Sequence, residues 1–140
     1  MNLDELITHH QLQALTTRYG SLLDAGDFPG TAQLFTADAE LEITTLNETF
    51  AGREAIAAYF AQRAQHSPPA QETGRRHHFS CHVLEQSDPD SARGTLNYLV
   101  VAHAGLVAWG HYEDTYHRVT DGSWQFARRR IIPAAPPTVR

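Results

Sequence analysis

Nine histidines stand in a chain of 140 residues. Histidine is the side chain whose ordinary pKa lies nearest neutral pH, so a histidine facing a cavity is a natural acid or base. Several of the nine fall in alternating segments, where the face they occupy can be read. Over Arg76–Leu84, Phe79, Cys81 and Val83 alternate with His78, Ser80 and His82. That places His78 on one face as a candidate acid/base and turns His77 to the other, where it reads as structural. His103 closes a face shared with Asn97, Leu99 and Val101, either as a satisfied interior histidine or as a second acid/base. His111 and Glu113 share a face with Trp109, as cavity wall or as a polar outer surface. Positioned imidazoles of this kind can deprotonate a carbon acid or protonate a departing hydroxyl. His78 and His82 share a face but lie about 13 Å apart along the strand, too far to hold one metal ion. Cys81 is the single cysteine, which excludes an internal disulfide; it is expected to be a packed, inert thiol.

The elements that must hold these side chains change period halfway along the chain. Leu12, Leu15, Tyr19 and Leu22 predict a helix from about Asp4 to Asp24, stopped by Gly26. Asp27 caps a short second helix before Pro29. Leu41 and Ile43 alternate with glutamates as a short strand, Asn47–Gly52 reads as a turn, and Ile56, Tyr59, Phe60 and Ala64 mark a third helix. His66–Gly74, with Pro68-Pro69, reads as a loop. Arg76–Leu84, Ala92–His103, Trp109–Val119 and Ser123–Ile132 then read as four strands joined by short turns. Helices followed by strands predict an α+β fold with helices on one face of an antiparallel sheet.

The balance of 41% hydrophobic to 19% charged residues is that of a globular chain rather than a disordered one. A net charge of -5 argues against a duplex-DNA partner, which would require a basic surface. No apolar stretch is long enough to span a bilayer, and Met1-Asn2-Leu3-Asp4-Glu5 carries no export signal, so a single cytoplasmic domain over 1–140 is expected, with a loose tail at 133–140. Phosphate-cradling, dinucleotide-binding and nucleophile-elbow motifs do not occur.

Tyr19–Phe28, Leu34-Phe35-Thr36-Ala37-Asp38-Ala39, Gly52-Arg53-Glu54-Ala55-Ile56, Gly110–Arg118, Asp121–Trp124 and Arg128–Arg130, taken in order, resemble the SnoaL-like branch of the nuclear transport factor 2-like superfamily. The resemblance covers roughly 4–132. It implies a cone, in which a strongly curved sheet wraps long helices and leaves a deep pocket. The superfamily holds dehydratases, cyclases, isomerases and non-catalytic adaptors, so fold alone leaves the reaction open.

The pattern of the dehydratase members implies roles for particular residues. Asp24 matches an aspartate at the end of the first helix, His78 a histidine before an aromatic residue, His103 a second histidine, and Tyr19 a tyrosine. Asp24 otherwise reads as an ordinary helix-end residue before Ala25-Gly26. Together Asp24, His78, His103 and Tyr19 would suit elimination of water, enolisation or an aldol cyclisation without a cofactor. A zinc site on Asp24, His78 and His103 is a lesser reading, and no metal is assigned. Asn97, Trp109, His111, Glu113, Phe60 and Arg129 are the expected substrate contacts, with Arg129 placed to hold an anionic or carbonyl oxygen. The reading is therefore a lyase or isomerase acting on a small cyclic hydroxy or keto compound. The alternative is a non-catalytic binding or assembly module. A homo-oligomer, with a dimer favoured over a trimer, is the resemblance's expectation.

Overall fold

The computed structural model describes residues 1–66 and 68–134. The first helix, α1, spans Leu3–Asp24. It starts at Asn2, whose side chain accepts from the Glu5 backbone N–H at 2.9 Å while the Glu5 carboxylate accepts from the Asn2 N–H at 3.1 Å, a reciprocal cap for two donors that the helix cannot satisfy itself. Leu12, Leu15, Thr16 and Tyr19 form its buried stripe. The short helix α2 spans Phe28–Ala32 and is capped, as expected, by Asp27, whose Oδ1 accepts from the Gly30 N–H. Strand β1 (Phe35–Ile43), β2 (Glu48–Ala51), α3 (Arg53–Gln65) and one helical turn, α4 (Ala70–Thr73), follow. The chain then forms a meander: β3 (Arg76–Asp88), β4 (Ser91–Ala102), β5 (Gly105–Arg118) and β6 (Trp124–Pro133). The tail expected over 133–140 falls, beyond Ala134, outside the described residues.

The six strands form one curved, unclosed sheet in the order β2-β1-β6-β5-β4-β3. Neighbours are antiparallel except β1 and β6, which run parallel, with Leu41 opposite Arg129 and Ile43 opposite Ile131. The helices pack on its inner face over a core that includes Leu12, Tyr19, Phe35, Leu41, Ile56, Leu96, Tyr116 and Phe126. Strand β2 occupies the segment expected to be a turn. As a four-residue edge strand with three exposed residues, it lacks the buried alternation that marks a strand in sequence.

Two bulges decide which side chains face inward. In β3 the register passes from Ser80 opposite Asn97 to Val83 opposite Thr95, and Cys81 adopts a left-handed φ of 54°. One extra residue there reverses the alternation, so His77 and Phe79 point inward before the bulge and His82 and Leu84 after it. Cys81 itself is exposed rather than packed. In β6 the register moves from Phe126 opposite Tyr116 to Arg128 opposite Thr115. Ala127 is the extra residue, and Phe126 and Arg129 both turn into the core.

Candidate active site

Asp24 is the last residue of α1, at the negative end of the helix dipole, where a carboxylate is unfavourable for the helix itself. Its partner lies on β3. The His77 backbone N–H donates to both carboxylate oxygens at 3.2 and 3.1 Å, and the His77 ring Nδ1 lies 2.6 Å from Oδ1. An ionised carboxylate only accepts, so Nδ1 carries the proton, and in the neutral ring Nε2 keeps its lone pair. Both side chains are 16% exposed. Gly20 permits this approach of helix to strand: a Cβ there would sit 2.6 Å from the Phe79 ring and 3.6 Å from the His77 Cβ.

His77 also lines a cavity of about 150 Å³ between α1, α3 and the sheet. Its walls are mainly aromatic and aliphatic, with Tyr19, Tyr59, Phe60, Tyr98 and Tyr112 joined by Leu23, Val100 and Ile131. Tyr98 and Tyr112 stack at 4.6 Å, and Tyr19 meets Phe60 and Tyr112 edge-on at 6.2 and 6.0 Å. Burial pushes the phenols of Tyr19, Tyr98 and Tyr112 above their ordinary 10.0, so each keeps its proton and acts as a hydrogen-bond donor at neutral pH. Wider depressions are open to the surface: one of about 720 Å³ between α1 and the β3 edge is lined by Asp24, His77 and His78 among others, and one of about 500 Å³ is lined by Glu42, Glu85, Arg93, Glu113, Arg128 and Arg130. The charges of the latter are largely paired with one another, as in Arg93–Glu85 and Arg130–Glu113, so it offers no convergent acid–base group.

Behind the cavity wall runs a buried polar chain. Arg129 and Asp114 form a bidentate pair, with Nε to Oδ1 at 2.8 Å and Nη2 to Oδ2 at 2.7 Å. The guanidinium lies 4.2 Å from the Tyr19 ring centre, 4.1 Å from Tyr112 and 4.2 Å from Phe126. The Tyr116 hydroxyl donates to Asp114 Oδ2 at 2.9 Å, and His82 Nε2 lies 3.1 Å from that hydroxyl. Since the Tyr116 proton goes to Asp114, neutral His82 donates from Nε2. Burial pulls His82 below its ordinary 6.5; Arg129 and His9 act in the same sense and Asp114 against it. The unfolded chain therefore binds this proton at a higher pH than the folded one, and stability falls as pH drops through about 6.5. In urea titrations the wild type is expected to weaken from about pH 7 to about pH 5.5, and His82→Gln to flatten that slope. An unchanged slope in the variant would show that the titration belongs elsewhere.

Several residues expected at the site lie apart from it. His78 is exposed and lines, with Asp24 and His77, the open depression along the β3 edge rather than the aromatic cavity; His77, on the same face as Phe79, takes the place hydrogen-bonded to Asp24. The inner face of the sheet is the apolar one, so Phe79 carries the histidine of its own parity inward. His103 is exposed beyond the end of β4, its backbone N–H bonded to the Thr73 carbonyl and its ring against Gly74. Asn97, His111 and Glu113 are exposed on the outer face, and Glu113 pairs with Arg130 at 2.7 Å. Trp109 is half-buried and is not among the residues lining the cavity. Arg129 does face inward, but it is sealed behind the wall and bound to Asp114 rather than open to a ligand. Tyr19 and Phe60 line the cavity. Tyr59, Tyr98 and Tyr112, which read from sequence as core or interface aromatics, line the cavity, as do Arg63 and Arg75, which the sequence reading did not single out. Arg63 carried a signal, standing four residues after Tyr59 on the helix face that holds the aromatic stripe.

Helices packed on the inner face of a curved, open sheet are the arrangement of solved structures described as NTF2-like with a cystatin-like fold. The chain belongs to the SnoaL-like domain family, whose model matches residues 4–130. Among solved structures, Rv3472 of Mycobacterium tuberculosis, a protein of unknown function solved as an Asp-to-Asn variant, is 27% identical with a TM-score of 0.79, over 95% of this chain and 75% of that one. An NTF2-like protein with a cystatin-like fold from Novosphingobium aromaticivorans is 24% identical, with a TM-score of 0.80 over 97% of this chain and 88% of that one. A scytalone dehydratase-like protein of the same organism is 22% identical, with a TM-score of 0.80 over 96% and 89%. The last two show the fold alone. Among curated proteins nothing matches the chain. No helix among the described residues is long and apolar enough to cross a membrane.

Proposed function

We propose that this protein is a lyase or isomerase that moves protons on a small cyclic hydroxy or keto compound, with His77 as acid/base and Asp24 as the residue that orients it. The observation that carries this reading is the 2.6 Å contact between Asp24 and the His77 ring, with His77 also lining an aromatic cavity. Scytalone dehydratase-like neighbours in the same fold support the reaction class. In an elimination, His77 Nε2 takes a proton from the carbon next to the substrate carbonyl. A buried tyrosine, Tyr19, Tyr98 or Tyr112, donates a hydrogen bond to the enolate oxygen. The electron pair then expels the hydroxyl on the adjacent carbon, which leaves as water with the proton returned from Nε2. Ketonisation of the same enolate at another carbon would give an isomerase, so the proton inventory suits either outcome.

The test is a paired substitution. Cyclic hydroxy-ketones are screened by mass spectrometry for loss of water or isomerisation, using wild type, His77→Ala and His78→Ala. Turnover is expected to vanish in His77→Ala and to persist in His78→Ala, whose side chain lies outside the aromatic cavity. Equal activity in all three proteins would overturn the assignment.

A further inference from the structure

The cavity contains two positive charges and no negative one. Of the residues that line it, Arg63, Arg75 and His77 are the basic ones, and none is Asp or Glu. Five arginines, Arg93, Arg118, Arg128, Arg129 and Arg130, have carboxylate partners within 4.0 Å. Among the described residues Arg18, Arg53, Arg63, Arg75 and Arg76 have none, and of these Arg63 and Arg75 line the cavity. Arg63 is nonetheless held at the wall: its Nη1 donates to the Tyr59 hydroxyl at 3.1 Å and its guanidinium lies 5.9 Å from the Tyr59 ring centre. Arg75 is half-buried where the chain enters β3, with its backbone N–H bonded to Thr73 Oγ1 at 3.3 Å and its carbonyl accepting from Arg76 at 2.8 Å.

Two guanidiniums at the rim of an apolar cavity, with no carboxylate within reach, are free to pair with an anion that a ligand brings. Arginine presents a planar fork of donors that matches a carboxylate. Arg63 is exposed in the last turn of α3, as is Val107 at the start of β5, whereas Tyr19 and Tyr112 are fully buried. The cations therefore stand at the mouth and the phenols at the floor. A space of about 150 Å³ matches one six-membered ring.

We infer that the site takes a compound with a single six-membered ring bearing a carboxylate, the carboxylate held by Arg63 and Arg75 and the ring lying among the tyrosines. This rests on reading the cavity as the substrate site, and it deepens that reading by naming the charge and size of the substrate.

Benzoate and its neutral isostere benzamide are the probes, with binding to the whole chain measured by calorimetry. Benzoate is expected to bind about tenfold or more tightly than benzamide, from charge-assisted hydrogen bonds. The Arg63→Gln/Arg75→Gln double variant, checked for folding by circular dichroism, is expected to lose that preference. His78→Ala, outside the cavity, is expected to keep it. Equal binding of the two probes, no binding of either, or a preference retained in the folded double variant would each overturn the inference. If the double variant fails to fold, the single variants Arg63→Gln and Arg75→Gln decide, each expected to narrow the preference; an undiminished preference in both would overturn it. Failure of the acid–base reading looks different: benzoate preference would stand while turnover was indifferent to His77. Conversely, His77-dependent turnover of neutral hydroxy-ketones without benzoate preference would leave the chemistry intact and remove the anion site.

Discussion

Asn in place of Asp114 is expected to cost about 3–5 kcal/mol of stability, the effect of removing one partner from a buried ion pair. Both side chains are fully buried. Burial pulls the Arg129 pKa down, but the facing carboxylate outweighs it and raises the pKa above its ordinary value, so the guanidinium keeps its charge. With the carboxylate gone, that charge would remain in the core with three aromatic rings and an amide oxygen to compensate it. The Tyr116 hydroxyl would lose its carboxylate acceptor in the same step. Against the 5–15 kcal/mol typical of a whole domain, such a loss is large. Urea unfolding at neutral pH measures it. Replacing both partners with apolar residues, Asp114→Leu with Arg129→Met, is expected to recover most of the loss, because no isolated charge is left behind. A cost below about 1 kcal/mol for Asp114→Asn would show that the pair contributes little to the fold.

Asp24→Asn is expected to act on catalysis instead. The Asn amide nitrogen can donate to His77 Nδ1, which then becomes the acceptor and moves the ring proton to Nε2, the atom that must accept. Loss of an orienting carboxylate in comparable catalytic sets costs about ten-thousand-fold in kcat, and a fall of about a thousandfold or more is expected here. KM and benzoate binding should change little, since Asp24 is not among the residues lining the cavity. Stability should also change little, because a neutral side chain suits the end of α1 better than a carboxylate does. An unchanged kcat in the folded variant would exclude Asp24 as the residue that orients the base.

Much of the fold was legible in the residues. The stripe Leu12, Leu15, Tyr19, the Asp27 cap and the turn residues between long alternating runs placed α1, α2 and the meander close to their observed bounds. The resemblance supplied Asp24 and Tyr19, both of which lie at or beside the cavity. What failed was parity. Alternation names two faces without saying which is inner, and the bulge at Cys81 gives the two halves of β3 opposite answers. Had Phe79 alone been taken as the inward anchor, His77 rather than His78 would have followed. His103 escaped for a different reason: a residue past a strand end no longer obeys the strand's alternation. Arg75 left no signal, since its place depends on how α4 and the β4–β5 hairpin meet, with the His103 N–H bonded to the Thr73 carbonyl.

The one parallel seam in the sheet has a consequence for how the molecule forms. Strands β3 to β6 pair with their immediate successors through short turns, so they can zip together locally. Strand β1 can pair early with β2, but its seam with β6 has to wait, because β6 is the last of the six strands in sequence and Phe35 meets Phe126 across most of the chain. Closing so long a loop costs entropy before any contact repays it, which makes this junction the slow, non-local step of folding. Until β6 is in place Asp114 has no Arg129 and the cavity has no Ile131. The same strand that completes the sheet thus completes the binding site, and a nascent chain acquires both at once.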